Sequence, residues 1–325
     1  MPDPFFIVGN DRSGTTMLRL ILDRGPDVAI PPESMFLTDF GDAFERGEPR
    51  DAGAATAFMD EVWHHPKVRL WELPGPAPAL PPGLTGPDAY RFVVEAPFRA
   101  YAAKHGKPRW ADKTPHYVHH VDQLLGVWPG ARFVVLVRDG RDVALSLRRM
   151  PFGPNNAWAA APWWARGIRA GEQAQSAHPD QVLTVRYEDL TGAPAEVVPR
   201  ICEFVELGYA PEMLALEDAD PSKIVPDQAS WFPTLFDGIN TTAVGRWQRE
   251  MSVRDQRVFA ARAGAELERL GYEVATDGAV RLSPLQERWF HYQNELMRNV
   301  NFLRLRLIQE RGREFRLAFA RRRRG

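Results

Sequence analysis

The first thirty residues run from an apolar segment, through a short glycine-containing loop, into a second apolar segment with helical spacing. Phe5-Phe6-Ile7-Val8-Gly9 has the composition of a buried strand. The loop Asn-Asp-Arg-Ser-Gly-Thr-Thr fills residues 10–16, and residues 17–22 predict the start of an amphipathic helix. A strand, a tight loop and a helix in this order are typical of an anion site. The loop N–H groups and the positive end of the helix dipole point to the same place.

The same alternation continues along the chain. The strongest apolar run, residues 132–137, is continuous and rich in β-branched residues, as expected for a central parallel strand. Shorter strands are predicted over 27–30, 109–112 and 182–187, and helices over 35–47, 51–65, 88–105, 117–126, 142–149, 158–177 and 194–206. This order predicts an α/β fold, a P-loop-like parallel β-sheet flanked by helices on both faces, with ligands at the carboxyl ends of the strands.

From about Ser283 the pattern changes to one long, arginine-rich helical segment. A narrow apolar seam is predicted there from residues spaced four, three and four apart, namely Leu296, Val300, Leu303 and Leu307. We therefore divide the chain into a main domain over 1–282 and an arginine-rich helical extension and tail over 283–325. We expect the helix to pack on the main domain or to form a homo-oligomer with another subunit.

Charge is balanced overall and uneven along the chain. The 325 residues include 41 basic and 42 acidic side chains, a formal net charge of −1. Residues 298–325 hold ten arginines and two glutamates, a net of +8 that leaves −9 for the rest. An anionic ligand must therefore be held by a local site and not by the overall field. Because a charge run alone is weak support for nucleic-acid or membrane-surface binding, no nucleic-acid partner is predicted.

Three simple features narrow the class of protein. Cys202 is the single cysteine, which excludes an intrachain disulfide and a cysteine-based zinc site. The first strand begins almost at once, which leaves no room for a secretory signal. No apolar run has the length of a membrane span. We expect a cytoplasmic enzyme without a transmembrane segment.

The first loop differs from a nucleoside-triphosphate loop at one position. Gly9 and Gly14 have Walker A spacing, but Thr15 stands where the phosphate-binding lysine is required. No strand ends in an obvious Mg²⁺-holding aspartate, apart from Arg138-Asp139, where arginine comes first. Arg12, two threonine hydroxyls and backbone amides suit a less charged group bound without metal, such as a phosphosulfate. A P-loop kinase is therefore the disfavoured alternative.

A second anion site is predicted after the central strand. Arg138 stands at the end of that strand, and Ser146 lies eight residues on, in the following helix. Helix rotation turns Ser146 toward the side of Asp139 and Asp142. An arginine and a hydroxyl that converge at a strand end would bind a phosphate.

Together these segments resemble a known family. Arg12-Ser13-Gly14-Thr15-Thr16 and the segment from Val137 to Ser146 resemble the two nucleotide-binding signatures of sulfotransferases, which use 3′-phosphoadenosine 5′-phosphosulfate (PAPS). The branch with tyrosylprotein sulfotransferases and bacterial relatives is the most similar. Further matches are Glu33 after the first helix, Asp112-Lys113-Thr114-Pro115, Val185 to Leu190, and Val244-Gly245-Arg246-Trp247. The resemblance covers roughly residues 4–272 and makes 1–282 a sulfotransferase catalytic domain.

The resemblance implies a role for each matching residue. The 5′-phosphosulfate would be held by Arg12, Ser13, Gly14, Thr15 and Thr16, and the 3′-phosphate by Arg138 and Ser146, with Arg246 on a loop that closes over the nucleotide. Glu33 would be the general base that takes the proton of an acceptor hydroxyl. Lys113 and Arg12 would stabilise charge on the transferring group. No metal is required.

Several alternatives stay open at the level of sequence. Glu33 is also placed to begin a helix, Lys113 to lie on the surface, and Ser146 to face solvent. His116 is the second candidate base, and with His119, His120 and Asp112 it suggests a metal site, although helix packing is favoured. A non-catalytic nucleotide-binding relative is a further alternative, disfavoured because the signature residues are intact. Nothing identifies the acceptor as a peptide, a sugar, a lipid or a small molecule.

Overall fold

The apolar run at the start of the chain folds, in a computed structural model of the protein, as strand β1, Phe5–Gly9, in which every residue is buried. The structure describes residues 3–148, 150–225, 231–232, 235–274 and 282–322, with side chains described up to residue 304. The chain forms two compact units. The first comprises residues 1–137 and 167–241, and the second comprises residues 138–166 and 242–325.

All the described strands lie in the first unit and pair in parallel. Two short strands, β2 (Val28–Ala29) and β3 (Arg109–Trp110), form a two-stranded sheet. The main sheet of the described chain has the order β4–β1–β5–β6, in which β4 is Asp112–Lys113, β5 is Arg132–Val137 and β6 is Val182–Arg186. The predicted central position of residues 132–137 is confirmed, because β5 lies between β1 and β6.

The register of the main sheet places three strand ends together. Ile7 pairs with Lys113 across β1 and β4, and Gly9 pairs with Leu136 across β1 and β5. In a parallel sheet these carboxyl ends share one edge. Strand β1 lies between β4 and β5, and both of these strands follow it in the sequence. The loop after β1 therefore lies at the kind of position where α/β sheets bind ligands.

Helices account for most of the remaining described chain. They are α1 Thr15–Asp23, α2 Phe36–Asp39, α3 Gly41–Glu45, α4 Ala52–Trp63, α5 Pro66–Arg69, α6 Gly86–Lys104, α7 Val121–Val127, α8 Gly140–Leu147, α9 Ala157–Ala177, α10 Tyr187–Gly192, α11 Pro194–Phe204, α12 Trp247–Glu250, α13 Val253–Arg269 and α14 Pro284–Arg322. Short 3₁₀ helices cover Pro115–His119, Pro211–Leu214, Leu216–Asp218 and Pro221–Lys223. A parallel sheet flanked by helices, with a C-terminal helix, confirms the predicted fold class. No described helix is both long and apolar enough to cross a bilayer.

The segments near residue 110 differ from the prediction. The single strand expected over 109–112 is two strands in different sheets, because the Ala111 N–H still donates to the Ala29 carbonyl whereas Asp112 pairs with Phe6. The chain therefore passes from the small sheet to the main sheet at Ala111. This passage brings Lys113 to the edge of β1.

Aromatic side chains pack beside the main sheet in the first unit. Phe6 stacks on Phe133 with ring centroids 5.2 Å apart and contacts Trp128 at 5.6 Å. Phe98 stacks on Trp110 at 4.4 Å. Burial of large rings of this kind stabilises the fold by about 1.5–3 kcal/mol for each side chain, and it fixes the backbone from which the loops project.

Candidate active site

The loop after β1 is shaped by two glycines. Gly9 has φ +140°, and a Cβ there would lie 2.3 Å from the Leu136 carbonyl oxygen. Gly14 has φ +93°, and a Cβ there would lie 2.4 Å from the Tyr187 ring. No side chain caps α1, whose N-cap residue is Gly14. Because the first N–H groups of a helix have no intrahelical partner, α1 presents its amides and dipole at the strand edge.

Ser13 is a buried polar residue within this loop. It is fully buried, and its Oγ has no hydrogen-bond partner among the described residues. A buried hydroxyl without a partner is costly and rare in folded proteins. An anionic oxygen at the start of α1 would satisfy it, so the residues present fit the phosphosulfate group that the signature predicts.

Glu33 and Lys113 meet beside α1. Lys113 Nζ donates to Glu33 Oε1 at 2.5 Å and to Thr16 Oγ1 at 3.2 Å. The Lys113 side chain is 4% exposed and the Glu33 side chain 29% exposed. The alternative of a surface lysine is therefore wrong. Lys113 supplies, from the neighbouring strand, an ammonium group to the loop that lacks one at Thr15.

A hydrogen-bond network joins the segments that carry Glu33 and Lys113. The Ser34 N–H donates to Thr114 Oγ1 at 3.2 Å, and Ser34 Oγ is 2.9 Å from the Tyr117 hydroxyl. All three side chains are buried. Helix α2 begins instead at Phe36 without a side-chain cap, so the Glu33 carboxylate is directed to Lys113 and does not cap that helix. Residues next to the pair in sequence thus fix its position.

The charges of the pair are set by burial and by each other. Burial raises the pKa of Glu33, but the charge and hydrogen bond of Lys113, together with the Lys67 and Arg19 charges, hold that pKa below its usual value. Burial lowers the pKa of Lys113, with Glu33 opposing. Burial also raises the pKa of the neighbouring Asp112 to about 7. Glu33 is therefore ionised at neutral pH and available to accept a proton.

Asp11 is a carboxylate near the Glu33–Lys113 pair that the sequence analysis did not single out. Burial raises the pKa of its carboxyl to about 6, the Glu33 charge adds to the shift, and Lys113 and Arg12 oppose it. Among the described residues Asp11 makes no hydrogen bond or ion pair. The signal in the sequence was a carboxylate inside an anion-binding loop, where like charge is unfavourable.

Arg12 contacts a segment far along the chain. Its Nη2 donates to the Trp231 carbonyl at 2.7 Å, and its guanidinium lies 4.6 Å from the centre of the Phe232 ring. Its backbone has φ +68°, which is uncommon for a residue with a side chain. The loop therefore brings aromatic residues 231–232 to Arg12, in addition to the groups predicted from the signature.

The second unit holds the other predicted nucleotide-binding residues. Arg138 Nη2 donates to the Ala243 carbonyl at 2.6 Å. Asp142 accepts from the N–H groups of Gly245 and Trp247, both at 2.8 Å. The signature around α8 and the loop before α12 are thus in contact with each other.

Arg246 and Ser146 complete the predicted set in the second unit. Arg246 makes a two-bond ion pair with Glu250, at 2.8 and 2.7 Å. Ser146 is half-buried on α8. The roles of Arg138, Ser146 and Arg246 toward a 3′-phosphate stay predictions.

The histidines after Lys113 form a separate cluster. His116 is exposed, and its ring centroid lies 5.4 Å from that of His119 and 5.3 Å from that of His120. No contact joins His116 to the Glu33–Lys113 pair within the described chain. No group of three metal-ligating side chains is arranged to hold an ion in that part of the protein either.

Comparison with known proteins decides the family. The model described as "Sulfotransferase family" matches residues 4–211, and the "Sulfotransferase domain" model matches residues 155–271. The chain belongs to the sulfotransferase family. It is 26% identical over 300 residues to nodulation protein NoeE of Sinorhizobium fredii, which covers 84% of this chain and 67% of NoeE. It is 25% identical over 285 residues to protein-tyrosine sulfotransferase 1 of Danio rerio, which covers 82% of this chain and 72% of that protein.

A solved structure supports the fold of this sulfotransferase. The sulfotransferase domain from the curacin biosynthetic pathway superposes with a TM-score of 0.52 at 20% identity, over 85% of this chain and 99% of that domain. Family membership confirms the resemblance drawn from Arg12 to Thr16 and Val137 to Ser146. The protein is an enzyme of the sulfotransferase class, which sets aside the P-loop kinase and the non-catalytic relative.

Proposed function

We propose that this sulfotransferase transfers the sulfuryl group of PAPS to an acceptor hydroxyl, with Glu33 as general base. The observation that carries the proposal is that Lys113 donates both to Glu33 and to Thr16 beside the uncapped start of α1. A base, a cation and an anion-binding helix terminus at one edge of the sheet are the groups that in-line sulfuryl transfer needs.

Each residue has one part in the proposed transfer. Glu33 Oε accepts the proton of the acceptor hydroxyl as that oxygen forms a bond to sulfur. The bond from sulfur to the bridging phosphate oxygen breaks, and adenosine 3′,5′-bisphosphate leaves. Lys113 and the α1 amides stabilise the charge that grows on the bridging oxygen, while Ser13 donates to the bound anion. No resident metal takes part in the proposal.

Other parts of the proposal rest on the resemblance. Arg138 and Ser146 are proposed to recognise the 3′-phosphate, and Arg246 the nucleotide through its loop. His116 stays the second candidate base. Because some relatives are named protein-tyrosine sulfotransferases, the acceptor panel includes phenols and tyrosine peptides, together with the sugars and lipids that the sequence leaves open. The predicted cytoplasmic location stays a prediction.

Replacement of the base tests the proposal. Glu33→Gln keeps the shape of the side chain and removes its proton affinity, so turnover of labelled PAPS with an acceptor from the panel should fall by about 10²- to 10⁴-fold. Binding of adenosine 3′,5′-bisphosphate by calorimetry should change little. Glu61→Gln, on the exposed side of α4, is the matched control. Full activity of Glu33→Gln would show that the base is misassigned.

Replacement of Lys113 tests the part of the proposal that concerns charge on the leaving oxygen. Lys113→Met should lower kcat by about 10²- to 10³-fold, because charge on the leaving oxygen loses its closest ammonium group. Nucleotide affinity should fall much less, since the α1 amides and Ser13 remain. If nucleotide affinity fell and kcat stayed unchanged, Lys113 would be a ground-state binding residue and not a transition-state one.

A further inference from the structure

Helix α14 carries an exposed apolar stripe in the second unit. The stripe follows a spacing of four, three, four and seven residues, with exposed fractions of 76%, 57%, 58%, 46% and 59% for Leu285, Trp289, Tyr292, Leu296 and Leu303. Few large apolar side chains elsewhere in the described chain are as exposed, and Val253 is one of them. An apolar row of this length on a monomer marks an interaction surface.

The opposite face of α14 is already occupied. Asn294 Oδ1 accepts from the Asn155 N–H at 2.7 Å, and Asn156 Nδ2 donates to the Phe290 carbonyl at 2.7 Å. Asn301 Nδ2 donates to the Arg148 carbonyl at 3.1 Å. The first half of α14 is therefore fixed to the second unit by one face, and the stripe faces away from that attachment.

The spacing of the stripe indicates the kind of element that packs on it. Steps of four and three are the a and d positions of a heptad, and such a narrow seam pairs with another helix. We propose that a second copy of this chain packs its own α14 antiparallel along the stripe. This inference does not depend on the proposed function.

The stripe is complementary to itself in the antiparallel sense. With the two helices centred near residue 294, Leu285 meets Leu303 of the second copy and Tyr292 meets its Leu296. The same alignment places Trp289 opposite Asn299, a large side chain against a smaller one. In a parallel pair, two Trp289 side chains would meet in one layer.

Charge favours the same arrangement. Nine of the ten arginines at the chain's end lie from Arg304 onward, and a parallel pair would bring both arginine-rich segments together at like charge. An antiparallel pair places each beyond the start of the other helix.

The stripe corrects the seam predicted from sequence. Leu296 and Leu303 belong to it, but Val300 is half-buried and the Leu307 side chain lies outside the described residues. The apolar face begins at Leu285, eleven residues before the predicted seam. Large aromatic side chains at Trp289 and Tyr292, with rings 6.1 Å apart, form its centre.

Light scattering of the full chain tests the interface. We expect the wild-type protein to show the mass of a dimer and Leu296→Glu combined with Trp289→Glu to show that of a monomer, with unchanged sulfotransferase fold by circular dichroism. Val253→Glu, at another exposed apolar position, is the matched control and should stay dimeric. A monomeric wild-type protein at all concentrations overturns the inference, as does a dimer that the double variant leaves intact.

Disulfide trapping tests the orientation. Positions 285 and 303 are about 27 Å apart along one helix, so only an antiparallel pair joins Leu285→Cys to Leu303→Cys when the two single variants are mixed and oxidised. Each variant trapped only with itself would show a parallel pair and overturn the proposed orientation. Sedimentation with phosphatidylserine vesicles is the remaining arm, and monomeric protein that binds them through the stripe would assign it to a lipid surface instead. Cys202 is buried and supplies little background.

Discussion

Two strand–loop–helix junctions of this sulfotransferase, from β1 to α1 and from β5 to α8, differ at the N-cap residue of the helix. Helix α1 begins after Gly14, with no side-chain cap. Helix α8 begins after Asp139, whose carboxylate accepts from the Arg141 N–H at 2.9 Å and from the Arg141 guanidinium at 3.0 and 2.7 Å. One helix start is left open, whereas the other is filled by the protein itself.

The difference indicates how each junction is suited to an anion. At α1 the backbone amides and dipole remain available, so the helix terminus itself can bind charge. At α8 a carboxylate already occupies that position, so the proposed 3′-phosphate binding there would use side chains such as Arg138 and Ser146. The first junction leaves its helix amides available, and the second is stabilised internally. Substitutions at three positions test this comparison.

The largest expected effect is on stability, at the second junction. Asp139→Ala removes the cap of α8 and leaves the buried Arg141 without its carboxylate, which should lower the free energy of unfolding by about 3 kcal/mol. Asp139→Asn, which keeps a capping oxygen, should lose about half as much. Urea denaturation measures both. A loss below about 1 kcal/mol for Asp139→Ala would mean that α8 does not depend on its cap.

A smaller effect, on binding, is expected at the first junction. Ser13→Ala removes a buried hydroxyl that has no partner in the described chain, so the free energy of unfolding should not fall. Affinity for adenosine 3′,5′-bisphosphate should fall about tenfold, the value of one hydrogen bond to a charged group. Calorimetry with exposed Ser176→Ala as control measures this. If Ser13→Ala left the affinity unchanged and lowered the free energy of unfolding, Ser13 would serve stability and not anion binding.

The last effect concerns pH at Asp11. Burial raises its pKa to about 6 from an ordinary value near 3.8, so the ionised carboxylate opposes folding above that pH. Asp11→Asn should therefore be more stable than the wild type at pH 8, and the advantage should shrink as pH falls through about 6 and vanish near pH 4. Unfolding at several pH values measures it. A variant less stable at pH 8 would contradict the stated environment of Asp11.

Much of the fold followed from local pattern. The continuous apolar run of β5 predicted an inner parallel strand, because only residues buried on both faces lose the polar alternation. The loop from Arg12 to Thr16 predicted an anion site for the same local reason, since its glycine and its helix start lie within a few residues. The passage between sheets at Ala111 was missed, because pairing partners far along the chain decide it.

The sequence by itself determined most helices and strands, the predicted anion-binding loop and the resemblance to the sulfotransferase signatures. The tertiary structure alone decided that Glu33 and Lys113, eighty residues apart, form an ion pair and that Lys113 also donates to Thr16. It also decided that Asp11 lies within reach of their charge and that the stripe of α14 begins at Leu285. Periodicity and spacing are read within one segment, but a contact between segments depends on sheet register and packing, which no single segment contains.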